Sequence, residues 1–350
     1  MLFENTIIPN KLFFFKNVLS IKKRLYLYSR VEPAKPLNNA QIGRSFFYIC
    51  IYTMPKFIKH KTAEELVVSL KTKGLLIDND LQAANYIRNI GYFRLKAYFY
   101  PLYSEPKNNH FFKNDATFDK VMNMYRFDRK LRLLLFNEIE KIEVALRSVI
   151  VNEISNELGD VFWMTKKEYF KSESYFNLTL SLIKSEYDKS KEEFIIHYKG
   201  KRTNSLPPAW MLAEILPIGN LCHIFLNLKS QKAKKKVAKY FGLQEPVFSS
   251  WMLILSNLRN MCCHHSRTWN RELAINTANP FVTKYPWIEI SKTNHKRIYY
   301  RICMIRYLLF TISPNNTFKE KLKKLITEYP TIDISAIGFP SNWEKDLFWK

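Results

Sequence analysis

Apolar residues recur at three- and four-residue steps over residues 117–158, through Leu131, Leu134, Leu135, Ile139, Ile142, Leu146, Val149 and Ile150. That period predicts one long amphipathic helix, or two joined near Asp128. Its polar positions, Asp128, Arg129, Arg132, Glu138, Glu140, Lys141, Glu143 and Arg147, are expected to be solvated or paired at i,i+4, as Glu143 and Arg147 are spaced to be. Upstream, Thr62-Ala-Glu-Glu65 is a capping-box start, followed by Leu66, Val67 and Leu70, with Gly74 as the stop. Residues 78–90 read as a second helix, and residues 91–101 as an aromatic segment ended by Pro101. Further helices are predicted over 166–191, 209–216, 232–240 and from Trp251 onward, with a Lys-Gly-Lys-Arg turn at 199–202. Strand signals are sparse and no repeat of solenoid period occurs, so the expected class is all-α.

Residues 1–53 differ from the rest. Phe13-Phe14-Phe15, Pro33-Ala-Lys-Pro36 and Phe46-Phe47 sit in a stretch with no sustained helical or strand period. The character changes at Met54, which we expect to be the functional start. Residues 1–53 would then be a poorly ordered arm or an upstream misannotated extension. Recovery of peptides from that stretch by mass spectrometry of natively expressed protein would refute this.

Composition narrows the partners. Among 350 residues, 55 Lys and Arg face 31 Asp and Glu, a net charge of +24 that excludes an acidic solvating protein. Such a surplus concentrates polyanions around the molecule, so nucleic acid is the leading partner; the plain alternative is a basic composition that serves solubility. Two segments could supply contacts to RNA: Arg94 and Lys96, interleaved with aromatic residues, and the basic patch Lys234, Lys235 and Lys236. Five cysteines form no evenly spaced framework and favour a reducing compartment. The early apolar stretch is interrupted by Lys16 and no small-residue cleavage site follows it. Residues 298–312 contain Arg301 and Arg306 and fall short of the roughly 20 apolar residues a membrane span needs. These features predict a cytoplasmic protein with no membrane partner.

One constellation carries chemistry. Residues 251–269 place Arg259-Asn260-x-x-x-His264 on a helical pattern, with His265 beside it and Arg267 close behind. Asn260 and His264, four apart, share a helical face, and the long Arg259 side chain can lean toward them. An imidazole can take the 2′-hydroxyl proton of RNA or protonate the leaving oxygen, while an always-charged guanidinium stabilises the phosphorane. Neither a metal nor a cofactor is then required, and DNA, lacking the 2′-hydroxyl, would not be cut. The pattern Arg-Asn-x-x-x-His arises by chance about 0.03 times in a chain of this composition. The competing reading is a helix whose Arg and His serve packing or ion pairing. Zinc is disfavoured, because Cys262, Cys263, His264 and His265 are contiguous and cannot wrap one tetrahedral ion from a helix. A cysteine nucleophile fails for a similar reason of direction, and neither a serine-hydrolase elbow nor a phosphate-binding glycine loop is present.

Several segments together carry a resemblance: residues 89–101, residues 125–135, residues 139–147, Pro207-Pro-Ala-Trp-Met211 and residues 258–271. In these the sequence resembles the abortive-infection (Abi) family of AbiD and AbiF type, bacterial phage-defence proteins of the HEPN superfamily. The resemblance implies an all-α HEPN-like bundle with additional helices, and a metal-independent endoribonuclease toxin in which Arg259, Asn260 and His264 match the superfamily's Arg-polar-x-x-x-His motif. It also implies a homodimer, because one motif per chain makes half of a composite site. His265, Arg267, Arg147 and Asp128 fall in family-like segments, the first three as supporting residues. A regulatory RNA or an antitoxin would be a further partner. The alternative implied is a non-catalytic RNA-binding or regulatory HEPN module. The expected organisation is an extension over 1–53, an N-terminal helical region over 54–115, the HEPN-like core over 116–290 and a C-terminal helical extension over 291–350.

Overall fold

In a computed structural model the described residues are 60–202, 205–274 and 278–350, so the expectations for residues 1–53 and Met54 lie outside them. The first helix, α1 (Ala63–Thr72), begins as its sequence predicts. Glu65 N–H donates to Thr62 Oγ1 at 3.2 Å, and Thr62 N–H donates back to Glu65 Oε2 at 2.8 Å. Gly74, at φ 90°, follows its end. α2 (Asp80–Ile90) is capped by Asn79, and Gly91 at φ 94° turns the chain directly into α3 (Tyr92–Phe99), so the aromatic segment is a helix. A residue with a Cβ is strained at that φ, which is why the sharp break between two helices falls on glycine.

The fold is organised by α4 (Phe118–Leu158), an unbroken helix of 41 residues, about 60 Å long at 1.5 Å per residue. Thr117 caps its start and Gly159, at φ 63°, ends it. Its apolar stripe, including Val121, Leu131, Leu135, Ile139, Ile142, Leu146 and Ile150, is almost wholly buried. After it come α5 (Glu173–Lys189), α6 (Glu193–Lys201), α7 (Ala209–Ile215), α8 (Ile218–Asn227), α9 (Gln231–Tyr240), α10 (Glu245–Cys263), α11 (Ile298–Ile312) and α12 (Phe318–Glu328). Helices α3, α7, α8, α9, α10, α11 and α12 all pack on α4. Among the described residues there are isolated bridges but no strands, and the fold is all-α.

Two expectations need correction. Among the polar positions of α4, Asp128 with Arg132 and Glu143 with Arg147 do pair at i,i+4, but Asp128, Arg132 and Glu138 are buried rather than solvated, because neighbouring elements bring polar partners to them. The predicted turn at 199–202 is helical through Lys201, the end of α6. The apolar residues 298–312 form α11, buried on nearly every side. Arg301 and Arg306 go inside with it, and Arg306 donates from Nε to Phe348 O at 3.1 Å while lying over the rings of Phe310 and Trp349. No helix among the described residues is long and apolar enough to cross a membrane.

Candidate functional site

The Arg-Asn-x-x-x-His residues sit at the C-terminal end of α10. The apolar side of this helix, Trp251, Ile254, Leu255, Leu258 and Cys262, is buried, which leaves Asn257, Asn260 and His264 exposed. Arg259 lies at the edge of that face with its side chain 37 % exposed, and its Nη1 donates to Asn260 Oδ1 at 3.4 Å. Its Nε is buried without a hydrogen-bond acceptor among the described residues, the facing carboxylate oxygen of Glu143 standing 3.6 Å away. Glu143 in turn accepts from Arg147 at 2.6 Å. Arg147 also donates to the carbonyls of Ala213 and Leu216 at the end of α7, the second at 2.6 Å. Arg147 is therefore a brace: it fixes Glu143, and Glu143 faces the guanidinium of Arg259. The i,i+4 pair is legible in sequence; its contact with Arg259 is not.

The turn after α10 explains how the motif is held. His264 is the C-cap, its N–H bonded to Asn260 O at 2.9 Å. His265 N–H donates to Cys262 O and Ser266 N–H to Met261 O, with His265 at φ 55°. This is the Schellman arrangement, with histidine where glycine is commonest. The chain then doubles back over α3 and α4. Arg94 donates to His265 O at 2.6 Å and Arg267 to Ala97 O at 3.0 Å. Beneath them lies Asp128, fully buried, which accepts from Thr268 N at 3.1 Å, Trp269 N at 2.9 Å, Tyr98 Oη at 2.6 Å, the Thr268 hydroxyl and Arg132. One carboxylate thus ties α3, α4 and the segment after the motif together. Burial and the Asp128 charge push the Tyr98 phenol well above its usual range, so it stays a donor.

Beside the turn, Arg129, Leu133, Phe136, Cys263 and His265 line a cleft of about 380 Å³ between α4 and the end of α10. Cys262 points inward and burial pushes its thiol up to about 12, as it does that of Cys222, so neither is a ready nucleophile. Cys222, Cys262, Cys263 and Cys303 are unbridged.

The structure sorts the expected RNA contacts. Arg94 is exposed and spends one guanidinium nitrogen on the turn after α10, and Lys96 is exposed on the same helix. The basic patch of α9 is divided. Lys235 is exposed, and Lys236 pairs with Glu157 at 2.6 Å. Lys234 must be withdrawn as a binding residue, because it is buried against Phe225 and paired with Glu245 at 2.5 Å. Burial opposes the charge of Glu245, but its bonds from Lys234 and Ser249 outweigh that and hold it below the usual carboxylate range.

These features define an all-α protein with a solvent-facing cluster of Arg, Asn and His at the end of α10, braced by the part-buried pair of Glu143 and Arg147. The profile of Abi-like proteins matches residues 85–270, more than half of the chain, and the chain belongs to that family. The matched stretch runs from α2 past the Schellman turn and includes Arg259, Asn260 and His264. Membership supports an abortive-infection, phage-defence role. No curated protein and no solved structure matches the chain.

Proposed function

We propose that the chain is an endoribonuclease toxin of the HEPN kind, acting in abortive infection and cutting RNA by attack of its own 2′-hydroxyl. The observation that carries this reading is the solvent-facing end of α10, where Arg259, Asn260 and His264 occupy one and a half helical turns with the guanidinium held at the edge of the face. In the step we envisage, an imidazole takes the 2′-hydroxyl proton as the 2′-oxygen bonds to phosphorus. The bond from phosphorus to the 5′-oxygen then breaks, and that oxygen receives a proton from a second imidazole. A 2′,3′-cyclic phosphate and a 5′-hydroxyl result. Arg259 offsets the charge that builds on the phosphorane, and Asn260, within reach of Arg259, orients the phosphate.

Two proton-handling groups are needed and each chain supplies one motif, so we place a second copy opposite, its His264 completing the pair. Support for that copy comes from the face of α4 beside the cleft. Leu133, Phe136 and Val144, at helical spacing, are 54 %, 37 % and 58 % exposed and flank Glu143. Apolar side chains grouped on one helix face in this way fit a contact surface for a second copy.

The reading predicts chelator-resistant cleavage of single-stranded RNA that leaves cyclic-phosphate ends, with the all-deoxy strand uncut. His264→Ala and Arg259→Ala should each lower the rate at least about 100-fold while melting like the wild type. Ends carrying a 3′-hydroxyl, or full activity in His264→Ala, would overturn it. A second reading has one observation of its own: Glu143 stands against Arg259 and partly neutralises it, as suits a module that holds RNA without cutting it. That module would bind the same strand and release no product.

A further inference from the structure

A second cleft, of about 630 Å³, opens between α3 and the residues that follow the motif. One wall is the outward face of α3. Phe93 is 88 % exposed and Tyr100, seven residues later and two turns along, is 55 % exposed, with Lys96 between them. The other wall carries Arg267, Asn270, Glu272 and Arg297. Two large rings left in water are costly unless something covers them. The cations opposite state what kind of partner that is. Arg267 bonds only to Ala97 O and Arg297 only to Asn270 Oδ1 at 3.0 Å, so among the described residues neither is paired with a carboxylate. Lys107, paired with Glu105 at 3.4 Å, lies 4.7 Å over the Tyr100 ring, so that ring already meets one cation. Burial depresses the Arg267 guanidinium; the charges of Tyr98 and Asp128 oppose this, and the neighbouring Arg271 and Arg297 act in the same direction as burial.

We propose that this cleft is a nucleotide subsite, which takes an unstacked base of single-stranded RNA against Phe93 and Tyr100 and an adjoining phosphate on Lys96, Arg267 and Arg297. Aromatic faces accept any base by stacking, and cations beside them track the backbone; together they are what single-strand binding requires. A duplex keeps its bases stacked and offers none to these rings. The cleft is also joined to the motif: Arg94, on the same helix as Phe93, holds the His265 carbonyl, and Arg267 lies two residues beyond His265. A strand seated here would lead toward the end of α10. The inference rests on RNA being the substrate, and it adds how the strand is gripped.

The test uses a short fluorescein-labelled single-stranded 2′-O-methyl oligonucleotide, whose blocked 2′-oxygen prevents cleavage, with binding to the full chain followed by fluorescence anisotropy. Phe93 is so exposed that replacing it should leave the fold intact. Phe93→Ala and Tyr100→Ala should each weaken binding roughly 10-fold, Phe93→Trp should restore it, and a duplex of the same sequence should compete poorly. Lys96→Gln should reduce the slope of log affinity against log salt by about one. If the wild type binds the strand and both alanine variants bind it equally well, the subsite is refuted while the RNA reading stands. If the wild type binds no strand even at low salt, the RNA reading fails and the subsite falls with it. Unchanged anisotropy in Phe93→Ala together with a loss of self-association would make the rings a protein contact and overturn the proposal.

Discussion

His265 occupies the position in the α10 terminus where the chain needs a positive φ, and at 55° a side chain with a Cβ is strained. His265→Gly should therefore raise stability by roughly 0.5–1 kcal/mol, read as a higher urea midpoint with an unchanged slope. The imidazole disappears in the same variant. Cleavage that survives the substitution would assign proton transfer to His264 alone, whereas a loss of activity in a more stable protein would show that His265 takes part. At this scale the sequence is informative only in part. The spacing of Asn260 and His264 on a helix with a buried Leu258 side is readable from periodicity, and both residues are exposed as that spacing implies. The Schellman turn is not readable, since neither glycine nor asparagine announces it. The Glu143 contact with Arg259 is likewise hidden, because it joins two helices far apart in the chain.

At the level of elements, α9 shows why a run of lysines is a poor guide to a binding surface. Its period was legible, and Val237 and Ala238 lie three and four positions beyond Lys234, so that lysine had to share their buried face. The ammonium then needs a partner, which Glu245 provides at the start of α10. Lys234→Met keeps the bulk and strands the carboxylate, a loss of about 3 kcal/mol at neutral pH by the usual cost of breaking a buried pair. The sign with pH follows from Glu245, whose folded carboxyl titrates below its unfolded value of about 4.3. The contribution is complete above that value and is lost as pH falls through the lowered folded one. Urea denaturation of the two proteins should thus show a wide gap at pH 7 that narrows in acid; a gap independent of pH would mean that Lys234 contributes packing alone. In α4 the same ambiguity misleads in reverse, because Asp128 satisfies a helical polar pattern while its partners, Tyr98 and Thr268, come from 30 and 140 residues away.

For the whole molecule, the question is how a strongly basic chain could meet a second copy of itself. A net charge of +24 repels a twin, so association must come from apolar burial at a place where local charge is balanced. The α4 face meets that description: Leu133, Phe136 and Val144 are exposed, Glu140 shares the face, and Glu143 lies beside it. Pairing there would also set two copies of the α10 terminus near each other, since Leu133 and Phe136 line the cleft that His265 borders. Leu133→Glu combined with Val144→Glu places four extra negative charges in such a pair and should shift sedimentation from dimer to monomer. Cleavage should be lost with it, while the single-strand affinity of each chain persists, because the α3 cleft lies on other residues. A monomeric variant that still cuts at the wild-type rate would show that one chain holds a complete site. A variant that remains dimeric would move the interface off α4.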